Sequence, residues 1–412
     1  MASDRLVAYH PPEWAKALSC VPELAMSNTP IHPWLVPGVP DGFSVSIKRD
    51  DMTGSTLSGN KVRKLEFLMA DALKRGCRHV ITCGSIQSNH CRAVAVCARQ
   101  LGLTPHLILR TDATDAEGAG CEGNVLMDRL CGSHIYLVPK QSPYLTHLKP
   151  RMEKLAQDIK SVYTMLHEPT IVIPKATSSH STGHFLEKAV FSYGPHDDDG
   201  SSTSSSCRAS TDEDSYLVPI GGSSQVGLFG CITVFEEMRQ QGVLESFDDV
   251  VCACGSGGTA SGLSIGNYLT GSKLKVHAVA VFDNAEYFHN LCIETLQEAG
   301  LGHLRSEDIL HVVEGHKGKG YGISTDDELD FIYQVACNSG VMLDPTYSGK
   351  AALGMVRELR NNPASFTGKR ILFVHTGGVY ELFDGRMTPL LQQKQQSQPT
   401  IRMWPDVNGG PL

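Results

Sequence analysis

HVITCG (79–84), CRAVAVCARQLG (91–102), PHLILR (105–110), GNVLMDRLCG (123–132) and HIYLV (134–138) follow one another with almost nothing between them. Short β-rich apolar runs alternate here with helical patterns, which reads as βαβαβ. Successive strands joined through helices must lie parallel, so their sheet is covered by helices on both faces. The alternation returns in the C-terminal half with LVPIGG (217–222), DDVVCACGSGG (248–258), KVHAVAVF (275–282) and RILFVHTGG (370–378). The expectation is an α/β protein of two three-layer α/β/α domains with mainly parallel sheets.

The 412 residues are 41% hydrophobic, enough for one large or two medium cores. No apolar run approaches the roughly 18 residues needed to cross a bilayer, so no membrane partner is expected. With 36 basic against 44 acidic residues the net charge is -8, which gives no bulk electrostatic reason to bind nucleic acid. The 13 cysteines are scattered, and Cys83, Cys91, Cys97, Cys252 and Cys254 lie in apolar segments where free thiols pack as small hydrophobes. That indicates a reducing compartment. Asp4, Glu13 and Glu23 and the absence of an apolar h-region make a cytoplasmic location the default.

YGPHDDDGSSTSSSCRASTDEDSY (193–216) has little to bury and reads as a disordered surface insertion. The chain after about Met387, with QQKQQSQPT, reads as frayed for the same reason.

Chemistry concentrates in three clusters. VCACGSGGTASG (251–262) is a strand followed by glycines and small hydroxyl residues at a helix start, which leaves backbone N–H groups open to a phosphate. No lysine follows its last glycine as a Walker loop requires, and the alternative is a tight turn with no ligand. SGNKVRKLEF (58–67) groups Lys61, Arg63 and Lys64 beside Gly59 and Asn60; by itself such a run describes a solvated basic face. GSIQSNHCR (84–92) places Gln87, Ser88, Asn89 and His90 at the carboxyl end of a strand, where α/β proteins bind ligands. A lysine able to form an imine, a hydroxyl and amide set and a phosphate cradle together point to pyridoxal phosphate. His90 reads as a capping or packing residue, and no Cys or His spacing indicates a metal.

SGNKVRKLEFL, GSIQSNHCR, GNVLMDRLCG, LVPIGGSS, CGSGGTASG, LDPTYSGKA and FVHTGG also occur in the order seen in the D-cysteine desulfhydrase and 1-aminocyclopropane-1-carboxylate (ACC) deaminase family, which the chain resembles over about residues 20–385. The resemblance implies the tryptophan-synthase-β-like fold (fold type II) of pyridoxal phosphate enzymes, a homodimer, and an active site between a large cofactor-binding domain (1–64 and 171–412) and a small α/β domain (65–170). It implies that Lys61, after Gly59 and Asn60, is the Schiff-base lysine, and that Ser88 and Asn89 contact substrate and the cofactor's ring hydroxyl. Gly255, Ser256, Gly257, Gly258, Thr259 and Ala260 resemble the phosphate cradle. Lys64 is similar to a second family lysine with a phosphate or structural role; the competing assignment makes Lys64 the Schiff-base lysine, and spacing alone does not choose. Tyr321 in GKGYG and Tyr347 in DPTYSGK match two tyrosines that flank the substrate, although outside the family they read as ordinary core aromatics.

The deaminase branch carries an acidic residue after the DPxY tyrosine and an aliphatic one before the late GG, where this chain has Ser348 and Thr376. A carboxylate would keep the cofactor's pyridine nitrogen protonated, whereas a hydroxyl donates to a neutral nitrogen and makes a weaker electron sink. A thiolate leaves readily, so the weaker sink suffices. The expected reaction is β-elimination of D-cysteine to pyruvate, ammonia and hydrogen sulfide, the D preference resting on the resemblance. The α-proton has three candidate bases, the released Lys61 amine, Tyr347 and Tyr321. ACC deaminase and a catalytically silent binding member of the family are the alternatives, and polar packing is the alternative for the two hydroxyls.

Overall fold

The computed structural model describes residues 22–166, 214–397 and 399–401. Its strands form two sheets. The larger has six strands in the order β1 (Ile31–Pro33), β2 (Ser44–Lys48), β10 (Arg370–Val374), β7 (Asp249–Cys254), β8 (Lys275–Ala280) and β9 (His311–Val313), all parallel except edge strand β1. The smaller has the order β5 (His134–Pro139), β4 (Thr104–Thr111), β3 (His79–Ser85) and β6 (Ser215–Leu217), all parallel. The longer helices are α1 (Lys61–Lys74), α2 (Asn89–Gln100), α3 (Gly123–Leu130), α4 (Lys149–Leu166), α5 (Gln225–Gln240), α6 (Gly258–Leu269), α7 (Ala285–Glu298), α8 (Asp326–Ser339), α9 (Ser348–Asn361) and α10 (Thr388–Ser397).

Strand alternation divides each core in two. In β7, buried at every position, Val250, Cys252 and Cys254 pack with Phe235, Leu263 and Phe288 of α5, α6 and α7, while Val251 and Ala253 face Phe331, Met355 and Val356 of α8 and α9. In the small sheet Val80 joins Leu65 and Met69 of α1 and Val94 and Cys97 of α2; Ile81 and Cys83 face Leu148 and Met152 on the other side. Both sheets are therefore the middle of three layers, as an uninterrupted apolar strand requires. Cys83, Cys91, Cys97, Cys252 and Cys254 are buried free thiols within this packing.

Three sequence expectations change. Ser215–Leu217 pairs with His79–Ile81 as the outer strand of the small sheet, so a piece of chain expected in the large domain completes the small one. The same strand shortens the expected insertion at its C-terminal end; residues 193–213 of it lie outside the described residues. Residues 388–397, expected to fray, form α10, anchored by Lys394 on Asp330 at 2.6 Å and over the Tyr333 ring at 5.2 Å.

Candidate active site

The carboxyl ends of β3, β7 and β10 open onto one crevice, with the start of α1 beside them. After β10 the chain turns through Thr376, whose carbonyl accepts from Asn60 N at 3.1 Å. A Cβ on Gly59, whose φ is +108°, would lie 2.7 Å from that carbonyl oxygen, so the approach demands glycine. Lys61 follows directly as the first residue of α1. Its Nζ donates to Asn60 Oδ1 at 3.2 Å, and Asn60 Nδ2 donates to Thr259 Oγ1 at 2.7 Å. Burial and the neighbouring Lys64 charge lower the Lys61 amine to about 7.

The basic run is not a solvated face. Arg63 is buried and donates to Asp50 at 2.9 and 3.0 Å and to Glu237 at 2.8 and 3.0 Å. Fully buried Lys48 of β2 bonds Glu237 as well and donates to Thr29 O at 2.7 Å. Burial pushes the Glu237 carboxyl up, but its bonds from Arg63 and Lys48 prevail and hold it at about 2. This network fastens the first turn of α1 to β2 and α5, and so fixes where Lys61 starts.

Lys64, one turn on, serves a different place. Gly257, at φ +76°, caps α6, and the first helical bond runs from Ser261 N to Gly257 O at 2.9 Å. The N–H groups of Gly258, Thr259 and Ala260 thus have no partner within the helix. A Cβ on Gly258 would sit 2.7 Å from both Lys64 Nζ and Ser223 Oγ, and Ser223 Oγ donates to Ser256 Oγ at 3.1 Å. Lys64 Nζ itself donates to Gly221 O at 3.3 Å. A helix N-terminus, a buried ammonium and two hydroxyls surround a space that even a methyl group would fill, which is an anion cradle. Ser223, the first serine of LVPIGGSS, has no sequence signal of its own that marks it for this place.

The opposite wall comes from the small sheet. Ser88 caps α2 by accepting from Cys91 N at 3.1 Å, and Asn89 begins the helix. Tyr321 and Tyr347 meet hydroxyl to hydroxyl with ring centroids 5.8 Å apart, and the Tyr347 ring lies against Gly255, where a Cβ would come within 2.6 Å of it. Burial raises both phenols, Tyr347 well above its ordinary value. His90 is buried with Nε2 2.9 Å from Thr82 Oγ1, a packing residue of the wall.

Ser348 is not placed as the sequence reading required. Its hydroxyl donates to Asp344 Oδ1 at 2.5 Å and accepts from Asp344 N at 2.8 Å, inside a turn where it is fully buried. Asp344 in turn accepts from Ser348 N at 2.8 Å on Oδ1, and from Thr346 N at 2.9 Å and Tyr347 N at 2.7 Å on Oδ2. Both groups are committed to shaping the Tyr347 turn. The Thr376 hydroxyl makes no hydrogen bond with another described residue. Two buried residues that the sequence reading passed over, Glu381 and Asn124, hold the Asn89 amide: Asn89 Nδ2 donates to Glu381 Oε1 at 2.5 Å, and Asn124 Nδ2 donates to Asn89 Oδ1 at 3.1 Å.

The profile of the family described as "Pyridoxal-phosphate dependent enzyme" matches residues 23–377. The chain belongs to this family. This pyridoxal phosphate enzyme is 39% identical over 392 residues to the "Bifunctional D-cysteine desulfhydrase/1-aminocyclopropane-1-carboxylate deaminase, mitochondrial" of Arabidopsis thaliana, covering 91% of this chain and 83% of the relative. It is 30% identical to the "D-cysteine desulfhydrase" of Salmonella choleraesuis, over 89% of this chain and 97% of that one. A crystal structure described as an "ACC deaminase homologue" superposes with a TM-score of 0.68 at 28% identity, covering 94% of this chain and 97% of the other. The enzyme therefore has the fold type II architecture and belongs among the D-cysteine desulfhydrase and ACC deaminase enzymes, with pyridoxal phosphate as cofactor. The residues present fit that cofactor: the cradle at Gly258 and Lys64 suits a phosphate, and the buried Lys61 amine, held on Asn60, is the kind of group that would bond its aldehyde. No described helix is long and apolar enough to cross a membrane.

Proposed function

We propose that the enzyme is a D-cysteine desulfhydrase, releasing pyruvate, ammonia and hydrogen sulfide from D-cysteine by β-elimination. Bound pyridoxal phosphate supplies the electron sink. Lys61 is the lysine that bonds the cofactor, Lys64 with Ser256, Gly257, Gly258, Thr259 and Ala260 holds its phosphate, and Asn60 and Asn89 orient it. Ser88 faces the substrate, and Gly255 lets Tyr347 approach.

The observation that carries the desulfhydrase reading is the state of the Asp344–Ser348 turn. Ser348 stands where the deaminase branch has its acid, and Asp344 is saturated by four donors of its own turn. The Thr376 hydroxyl, with no hydrogen bond to another described residue, would then be the group to meet the pyridine nitrogen, the weak-sink arrangement that suits a thiolate leaving group. With its pKa near 7 the Lys61 amine, once free, takes and returns a proton at neutral pH. Tyr321 and Tyr347, pushed upward, act as donors, which favours Lys61 as the base.

The test is release of sulfide and pyruvate from D-cysteine, L-cysteine and ACC by the purified yellow protein. Sulfide from D-cysteine alone is expected. Keto acid from ACC alone would replace this reading with the deaminase one, which the names of several relatives also carry. The reading includes a homodimer, which sedimentation checks, and a cytoplasmic setting, which cell fractionation checks.

A further inference from the structure

Glu381 lies in the turn after β10, an isolated acid within the apolar run VYELF, and it is only 2% exposed. Nothing in the reaction requires a carboxyl there. Yet its two oxygens join three segments that carry site residues. Oε1 accepts from Asn89 Nδ2, from the small-sheet side of the crevice, at 2.5 Å. Oε2 bonds the hydroxyl of Thr346, next to Tyr347, and accepts from Arg386 Nη2 at 2.7 Å. Arg386 Nη1 donates at 3.1 Å both to Thr346 Oγ1 and to Gly322 O, next to Tyr321, while Asp384 holds its Nε at 2.7 Å.

We propose that Glu381 is a positioning residue that, seated on Arg386, fixes which face of the Asn89 amide is offered to the cofactor and locks Asn89 to the Tyr321–Tyr347 wall. The argument is one of donor and acceptor counting. A guanidinium only donates, so an oxygen must face Arg386. Asn124 gives an N–H to Asn89 Oδ1, so Asn89 presents its amino group to Glu381, and a second oxygen must face it there. Only a carboxyl has two. With both satisfied, one Asn89 N–H bonds Glu381 and the other remains for an acceptor in the site, such as the ring oxygen of the cofactor. A glutamine at 381 must turn its single oxygen to Arg386, which sets its amino group against that of Asn89. Asn89 then flips or withdraws. Burial and the Asp344 charge raise the Glu381 carboxyl to about 8, against the downward pull of Arg386 and Thr346 on Oε2.

This inference rests on the assignment of Asn89 to the cofactor, not on the substrate, so its test is made without turnover. Apo-protein is titrated with pyridoxal phosphate, followed by visible absorbance, for wild type, Glu381→Gln, Asn89→Ala and the double variant. Glu381→Gln is expected to weaken binding at least tenfold and shift the visible band, and to add less than twofold on top of Asn89→Ala. Additive losses, or unchanged affinity and spectrum in Glu381→Gln, would overturn the proposal. Should Glu381→Gln fail to fold, Glu381→Asp keeps the charge at Arg386 but falls one methylene short of Asn89, and the same non-additivity is expected. If the cycle is non-additive while D-cysteine yields no sulfide, the positioning role stands and only the substrate reading fails.

Discussion

Gly258→Ala puts one methyl group into the cradle and changes no other residue. The new Cβ would lie 2.7 Å from Lys64 Nζ and from Ser223 Oγ, closer than non-bonded atoms sit. Both are ends of side chains, so the apo-protein can move them aside, and alanine in place of glycine at a helix start favours the helix by up to about 1 kcal/mol. The fold should survive. The phosphate, however, needs that volume together with the Lys64 ammonium and the free N–H groups of α6. Losing one charge-assisted hydrogen bond costs about 1.5–3 kcal/mol, and at 1.4 kcal/mol per decade this weakens pyridoxal phosphate binding roughly tenfold to a hundredfold. Titration of apo-protein by visible absorbance measures the change, and thermal unfolding of the apo-protein checks the fold. A dissociation constant within threefold of wild type, with the apo-protein intact, would refute the assignment of Gly258 and Lys64 to the phosphate.

The pH dependence of cofactor capture reports Lys61: only the neutral amine attacks the aldehyde, so with its pKa near 7 the capture rate by apo-protein should rise about tenfold from pH 6 to pH 8 and then level. A rise continuing above pH 9 would place an ordinary lysine there. Glu237→Ala leaves Arg63 and Lys48 buried without their shared partner and should cost about 3–5 kcal/mol in urea unfolding; a loss below 1 kcal/mol would show that the network does not anchor α1. Burial, with His134 and His79 adding, lowers His106 to about 4 from 6.5, so the stability it allows is intact above pH 6.5 and lost as pH falls toward 4. Between pH 7 and pH 4 the wild type should lose about 3 kcal/mol more than His106→Gln, and parallel curves would contradict the shift.

How much of this was legible in the sequence follows from how locally each feature is encoded. The strands β3 and β4 are buried on both faces or nearly so, and their apolar runs, the half-exposed run of edge strand β5 and the intervening helices read correctly. Gly59, Asn60 and Lys61 were legible because a close backbone approach and a reactive amine need those residue types side by side. The place of strand β6 was not: LVPIGG reads as a run of the C-terminal unit, while the partner β3 lies more than a hundred residues earlier and only three residues pair. Helix α10 is rich in glutamine, and composition alone reads it as frayed; its support is tertiary, through Asp330 and Tyr333. Ser348 shows a third limit. Spacing put it beside Tyr347, but its rotamer is set by an aspartate four residues back that offers a nearer acceptor. Glu381 and Arg386 look like ordinary surface charges near the end of the described chain, and the sole hint was an acid inside an otherwise apolar run.

The central claim, that Lys61 rather than Lys64 carries the cofactor, is tested most directly by reducing the holoenzyme with borohydride and locating the pyridoxyl group by peptide mass. The structure puts Lys64 beside Gly258 at the start of α6 and Lys61 beside Asn60, so the label is predicted on Lys61 alone. A label on Lys64 would exchange the roles of the two lysines and contradict the account.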